Sequence, residues 1–237
     1  MKTDFFFKKS TMIITSTMLS VISWNIFADV KNLEWRTVEI GRVIKSLLPD
    51  VVCLQEVLYM TFLVITNVLD EYESVYENPY ANNTSGRAYG EMILVKKTKI
   101  SVVGKFFTPL VSSQGRAATF VDILTSDGKR VRISTAHLES GVDKEHIRDK
   151  QVEKIEHCVK DAENWIWVGD SNYETHKDKF QCNLTTWYEN RFWKGERTAS
   201  YDKVLTNQTV REISLVGDFK VGEKWLSDHN GIFVLIE

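Results

Sequence analysis

Side chains able to do chemistry recur in this sequence at one kind of place, the end of an apolar run. Asn25 follows Leu19–Trp24, Gln55 and Glu56 follow Val51–Leu54, and His137, Glu139 and Ser140 follow the return strand of a hairpin. Asp170 and Asn172 come after Trp165–Gly169, Asp202 interrupts Ser200–Leu205, and Asp228–His229 stand just before Gly231–Ile236. Taken singly, Asn and Asp are ordinary turn and cap residues, and a Glu beyond a strand ordinarily meets solvent. Together they make a chemical set of carboxylates, carboxamides and imidazoles. Gathered on one rim, the carboxylates would repel one another and rise in pKa unless a cation sat among them. Oxygen-rich, sulfur-free donors suit Mg²⁺ or Mn²⁺, held through one or two carboxylates, water and substrate phosphate. Amides and a His–Asp couple beside that cation point to phosphoryl chemistry. One carboxylate would position or deprotonate water, and an imidazole would steady the charge that develops on phosphate.

Placing those residues on one rim is the task of the elements between them. The first strand covers Met18–Ser23. Leu33, Thr37, Ile40, Ile44 and Leu47 form one helical stripe that Pro49 ends. Asp50–Val57 reads as a buried strand and Leu58–Tyr72 as a second helix, with further strands expected over 72–77, 90–97 and 99–107. Thr119–Leu138 is a hairpin turning at Asp127-Gly128. A third helix over 143–163 is expected to turn Ile147, Ile155, Val159 and Ala162 inward and a solvated Glu/Lys face outward. Strands at 164–170, 200–205 and 231–237 complete the pattern. Interleaved helices with an antiparallel hairpin predict a mixed α/β fold with sheets inside and helices outside.

The chain has 237 residues, 43% of them hydrophobic, and only 3 Pro, enough apolar material for a core and no linker composition to divide it. Residues 18–237 are therefore expected to be one domain, preceded by a disordered segment 1–17. A formal charge of −2 makes no bulk case for nucleic-acid binding, so any such contact must be local. Cys53, Cys158 and Cys182 lack C-x-x-C spacing, which argues against a disulfide framework or a structural zinc site. The N-terminus imitates a secretory leader, but Thr and Ser recur through it and no small-residue cleavage site precedes Ser23. The expectation is a monomeric intracellular protein, nuclear or cytoplasmic, without membrane attachment.

Six stretches, SWNIFAD, PDVVCLQEV, STAHLESG, WVGDSN, SYDKVL and LSDHNGIF, occur in the order of the endonuclease/exonuclease/phosphatase superfamily, and the chain resembles that superfamily over nearly its whole length. The resemblance implies a four-layer α/β sandwich with two central mixed β-sheets flanked by helices. SGRAYGEMILVKK, HLES and REISLVG are most similar to the 5′-tyrosyl-DNA phosphodiesterases. That likeness implies Glu56 as the principal metal ligand, with Asn25 and Asp228 around the Mg²⁺. It implies Asp170 as the group acting on water, and Asn172, His137, Ser140 and Asn25 as contacts to the scissile phosphate. His229 would face the phosphate while Asp202 fixes its tautomer. The implied partner is a single-stranded DNA end carrying a 5′-phosphate adduct, and the implied role is adduct removal in DNA repair.

The chain departs from this pattern at Glu174, where an Arg is expected, at Tyr201-Asp202-Lys203 in place of F-D-R, and in lacking W-D-T. These positions shape the substrate pocket rather than the metal centre. An apurinic/apyrimidinic endonuclease or another nuclease of the superfamily is the alternative reading. Inositol-phosphate or sphingomyelin cleavage would call for a secretory route or a membrane-inserting hairpin. A catalytically inactive binding module would have lost Glu56, Asp170 or His229, all of which are present. Lys96, Lys97, Lys99, Lys105, Arg116 and Lys129-Arg130 could contact nucleic acid or merely guard strand edges. Trp187, Tyr188, Phe192 and Trp193 could stack bases or pack a small satellite core.

Overall fold

A computed structural model of the chain describes residues 18–76, 89–174 and 177–237. The segment 1–17, expected to be disordered, lies outside them. Chain order is β1 (Leu19–Asn25), α1 (Leu33–Leu47), β2 (Val51–Leu58), α2 (Tyr59–Val68), β3 (Tyr72–Tyr76), β4 (Tyr89–Lys96), β5 (Ile100–Pro109), β6 (Ala117–Thr125) and β7 (Arg130–His137). Then come α3 (Glu145–Val159), β8 (Trp165–Asp170), β9 (Trp187–Tyr188), β10 (Thr198–Ala199), β11 (Asp202–Thr206), β12 (Val210–Val216) and β13 (Gly231–Ile236). One sheet runs β12-β13-β1-β2-β4-β3 and the other β11-β8-β7-β6-β5, while β9 and β10 form a separate two-stranded ribbon. Each large sheet is mixed: β1 lies parallel to β2 and β7 parallel to β8, and their other pairings are antiparallel. Each parallel pair is joined by a crossover helix, α1 in one sheet and α3 in the other, the connection parallel strands require.

Two-residue periodicity sorts the side chains into layers. Val21, Val51, Cys53, Ile133, Ile166, Val168, Ile232 and Val234 face between the sheets. Ile22, Trp24, Val52 and Leu54 face outward beneath Ile40, Ile44 and Ile65 of α1 and α2. Trp167 and Ala136 meet Val152, Ile155 and Val159 of α3 on the other outer face. Each fully buried side chain of this size contributes about 2 kcal/mol. The result is the expected four-layer sandwich. The three cysteines are free thiols, as their spacing predicts. Among the described residues no helix is long and apolar enough to cross a membrane.

Local signals held where backbone chemistry dictated them. Leu48 adopts the left-handed conformation (φ 51°), and its N–H caps Ile44, which stops α1 one residue before Pro49. Gly128, with φ 85°, turns the β6–β7 hairpin. Gly169 is required for another reason: a Cβ there would lie 2.3 Å from the Ala136 carbonyl oxygen of the parallel neighbour. Gly169→Ala is expected to lower unfolding free energy by about 3 kcal/mol in chemical denaturation, since backbone rather than a mobile side chain must yield. A variant as stable as the parent would show that β7 and β8 can separate.

Three expectations need correction. β12, which begins with exposed Arg211 and Glu212 after Val210, is an edge strand that was not anticipated, and neither was the β9–β10 ribbon with only two residues a side; neither shows the apolar run that marks a buried strand. On α3 the inward residues are Val152, Ile155 and Val159 together with Arg148 and Gln151; Ile147 is half-buried and Ala162 lies beyond the helix end. That helix is also more than a solvated surface. Arg148 Nη1 donates to the carbonyls of Glu139 (3.0 Å) and Gly141 (2.7 Å), and Gln151 Oε1 accepts from Glu139 N at 2.8 Å. The helix therefore braces the loop that follows His137.

Candidate active site

The inward-facing series of β1, β2, β7, β8 and β11 each change from apolar to polar at the same rim. Beneath that rim lies a polar floor, where Gln55 Nε2 donates to Ser23 Oγ at 3.1 Å and Thr135 Oγ1 at 2.8 Å. Above it stand Asn25, His137, Asp170 and Asp202, each two residues farther along or at a strand start. Glu56 would point outward in a regular strand. A register shift between Leu54 and Val57, with Glu56 at φ 59°, turns its carboxylate back to the rim. Asn172 is likewise left-handed (φ 51°), in a turn closed by its N–H donating to Asp170 Oδ1 at 3.0 Å.

Donors converge on one oxygen. Asn25 Nδ2 donates to Asp170 Oδ2 at 3.0 Å, and His137 Nε2 and His229 Nε2 stand 3.3 Å and 3.6 Å from the same atom. His229 Nδ1 is 2.8 Å from Asp202 Oδ2, and its backbone is pinned through Ser227 Oγ to N (3.1 Å) and Trp24 Nε1 to O (3.0 Å). Asp202 Oδ1 is buried without a hydrogen-bond partner, so that carboxylate acts mainly on His229. Asp228 Oδ2 accepts from Trp187 Nε1 at 2.9 Å. Asn172 Nδ2 donates to the Leu138 carbonyl at 3.1 Å, and Ser140 Oγ donates to Gln114 Oε1 at 3.0 Å. Glu56, His137, Ser140, Asp170, Asn172, Asp228 and His229 line one cavity of about 350 Å³. Asn25 and Asp202 lie just behind this wall.

Electrostatics follow from burial. Desolvation pushes Asp170 up to about 6, against the pull of the neighbouring imidazolium. Burial opposes charge on His229, but Asp202, Asp228 and Asp170 outweigh it and raise the imidazole to about 10. Glu56 is raised by burial and further by Asp228, with the Ala28 N–H and the Asn25 amide offsetting part of the rise. Two carboxylates, Glu56 and Asp228, thus face one cavity at a cost that a hard cation would relieve. Among the described residues no three His, Cys, Asp or Glu side chains form a group that could by themselves hold a metal ion. A cation held by one or two carboxylates plus water and phosphate fits this donor set. Asn25, expected among the ligands, stands between Glu56 and Asp170. Its Oδ1 accepts from Phe27 N (3.0 Å), and its Nδ2 bridges Glu56 Oε1 (3.2 Å) and Asp170, because a donor suits the gap between two carboxylates.

Other expectations are redistributed. Of the basic residues considered for nucleic-acid contact, Arg116 alone lines the cavity. Lys99 is paired with Asp50 (3.0 Å) and Lys129 with Gln208 (2.8 Å) at the opposite pole of the sandwich. Glu139 is a brace: Ser112 and Ser113 donate to it, and these bonds outweigh its burial and hold its carboxyl below the usual range. The aromatic group divides. Trp187 lines the cavity, while Phe192 and Trp193 pack with Phe27 into a cluster that leaves Trp193 48% exposed. Glu174 and Tyr201, expected to shape the substrate pocket, do line the wall, and Tyr89 and Arg197 join them without having been assigned to the site. Tyr89 opens β4, so the missed signal is a polar residue at the beginning of an antiparallel strand, the position Arg116 also takes before β6.

Comparison with known proteins places this arrangement. D. rerio TDP2, solved complexed with a single-strand DNA product, superposes with a TM-score of 0.80 at 20% identity over 93% of this chain and 99% of that one. Truncated Caenorhabditis elegans TDP2 gives 0.79 at 21%, covering 95% and 99%. A Bacteroides thetaiotaomicron mannosyl-6-phosphatase gives 0.75 at 16%, covering 92% and 99%. At such identities the likeness is one of fold. No curated protein matches by sequence. The model of the Endonuclease/Exonuclease/phosphatase family, in contrast, matches residues 22–229, from within the first strand to the imidazole beside the last, and the chain belongs to that family of phosphoester hydrolases.

Proposed function

We propose that this protein is a Mg²⁺- or Mn²⁺-dependent phosphodiesterase that hydrolyses a 5′-phosphate linkage at a single-stranded DNA end, with 5′-phosphotyrosyl DNA as its substrate. The observation that carries the reading is the convergence of Asn25, His137 and His229 on Asp170 Oδ2 in a cavity that also holds Glu56 and Asp228. A phosphate entering there finds imidazolium and amide donors already aimed, and a water beside Asp170 finds a buried carboxylate able to take its proton at neutral pH. Glu56 and Asp228 would hold the cation, which when bound neutralises phosphate oxygens and lowers the charge cost at the leaving group. His229 holds its proton through Asp202 and steadies the equatorial oxygens. Asn172, Ser140 and His137 orient the phosphate from the opposite wall. The leaving tyrosine and the DNA strand would lie along the aromatic side, against Trp187.

The test is a comparison of substrates with Mg²⁺ and with EDTA: 5′-phosphotyrosyl single-stranded DNA, its 3′-phosphotyrosyl counterpart, an abasic duplex, an RNA equivalent and mannose 6-phosphate. Metal-dependent release of tyrosine from the 5′ DNA end alone is the expected result. Preferred cleavage of the abasic duplex, the RNA or the sugar phosphate would assign the site to another substrate of the family.

A further inference from the structure

The cavity floor accounts for one phosphate, but its mouth carries a cation the floor does not use. Arg197 Nη2 lies 3.0 Å from Glu174 Oε1, and Tyr201 Oη donates to the same oxygen at 3.3 Å. All three residues line the cavity. The backbone under Arg197 is fixed, since its N–H donates to Glu189 Oε2 (3.1 Å) and its carbonyl accepts from Glu189 N (3.0 Å). The next residue, Thr198, pairs with Tyr188 across the β9–β10 ribbon. The same ribbon carries Trp187 onto Asp228, so Arg197 is held at a set position relative to the floor.

Its side chain is nevertheless exchangeable. Arg197 is 62% exposed and Glu174 39% exposed, and solvent screens an ion pair of that kind so that it holds the side chain only weakly. A phosphodiester offers the guanidinium a two-pronged, charge-assisted contact instead. Arg116, the other guanidinium on the wall, is buried and engaged by Gln114 (2.9 Å) and Tyr89 (3.1 Å). We propose that Arg197 binds the phosphate adjoining the scissile one, and that Glu174 and Tyr201 hold it in place until substrate arrives. This rests on the phosphodiesterase reading and narrows it: the substrate class is a strand of two or more nucleotides, and a phosphomonoester or a single nucleotide leaves Arg197 unused.

Binding separates this from turnover. A 5′-phosphorylated thymidine trinucleotide and thymidine 5′-monophosphate, each with the same 3′ fluorophore, are titrated by anisotropy with Mg²⁺ at several salt concentrations. The intact protein is expected to bind the trinucleotide at least about tenfold more tightly than the monophosphate. Arg197→Ala should remove that advantage and reduce the log–log salt slope by about 0.7, the value for one single-strand phosphate contact. Arg197→Lys should restore the slope but only part of the affinity, because it lacks the fork. Melting temperatures equal to the parent's, expected at so exposed a side chain, show that the variants are folded. Unchanged trinucleotide affinity and slope in Arg197→Ala would overturn the proposal, as would equal binding of the two ligands by the intact protein. Hydrolysis of phosphotyrosyl DNA, scored in the same preparations, reports separately on the phosphodiesterase reading. Arg197-dependent binding without hydrolysis would refute that reading and leave the second-phosphate contact standing.

Discussion

Glu56→Gln is expected to reduce turnover of 5′-phosphotyrosyl DNA by several hundred-fold or more and to raise the Mg²⁺ concentration needed for half-maximal rate. The substitution preserves volume and keeps one oxygen to accept the Ala28 N–H (2.7 Å), but its amide nitrogen cannot accept from Asn25 Nδ2, and it removes the negative charge that faces Asp228 across the cavity. Losing a carboxylate from a site with so few anionic ligands should raise the barrier by several kcal/mol. Relief of the buried charge should offset the loss of the Asn25 bond in the fold. Burial raises the Glu56 carboxyl, so the native state holds that proton more readily than the unfolded chain. Stability conferred by this group is therefore greatest at low pH and falls as pH rises through the folded value. Above it, the charged Glu56 is a burden that a neutral amide lacks. In metal-free buffer at pH 8 the variant should melt no lower than the parent, while Mn²⁺ titration should show weakened binding. Parental turnover with an unchanged Mg²⁺ requirement would remove Glu56 from the metal centre.

What could be read from the sequence, and what could not, has one physical cause. Two-residue alternation along β1, β7 and β8 carries the eye from core residues to Asn25, His137 and Asp170 on the same face, so these side chains were legible at once. Glu56 was legible as a residue but not as a direction, because only the bulge after Leu54 turns it inward. Tyr89 was not assigned to the site because strand ends alone leave out antiparallel neighbours, whose beginnings meet the same rim. Arg148 and Gln151 were assigned to solvent by their chemistry, yet the carbonyls and amide of the loop after His137 draw them inward. Arg197 sits in a short ribbon whose position depends on contacts between Glu189 and Arg197 that no periodicity announces.

The second large effect concerns pH. The profile of kcat/KM is expected to be bell-shaped, with an acid limb near pH 6 and a basic limb near pH 10. Asp170 must be ionised to take a proton from water, and burial raises it to about 6, so the rate should fall tenfold per pH unit below that value. His229 must be protonated to face phosphate charge. Its value of about 10 survives burial because of Asp202, Asp228 and Asp170, so the rate should fall as pH rises through 10. Asp170→Asn should lower the plateau by at least several hundred-fold and erase the acid limb together. Asp202→Asn tests the other half. With its 2.8 Å partner neutral, His229 should return toward the ordinary imidazole range, so the basic limb should move down toward neutrality, with a smaller displacement of the acid limb because Asp202 and His229 both act on Asp170. A merely structural role for Asp202 would lower the rate equally at all pH values and leave both limbs in place. The stability sign agrees: a raised imidazole stabilises the fold fully below its unfolded value near 6.5, and that contribution disappears as pH climbs through 10. Asp202→Asn should therefore be least stable relative to the parent just below about pH 6.5, recover progressively between the two limits, and match it above pH 10.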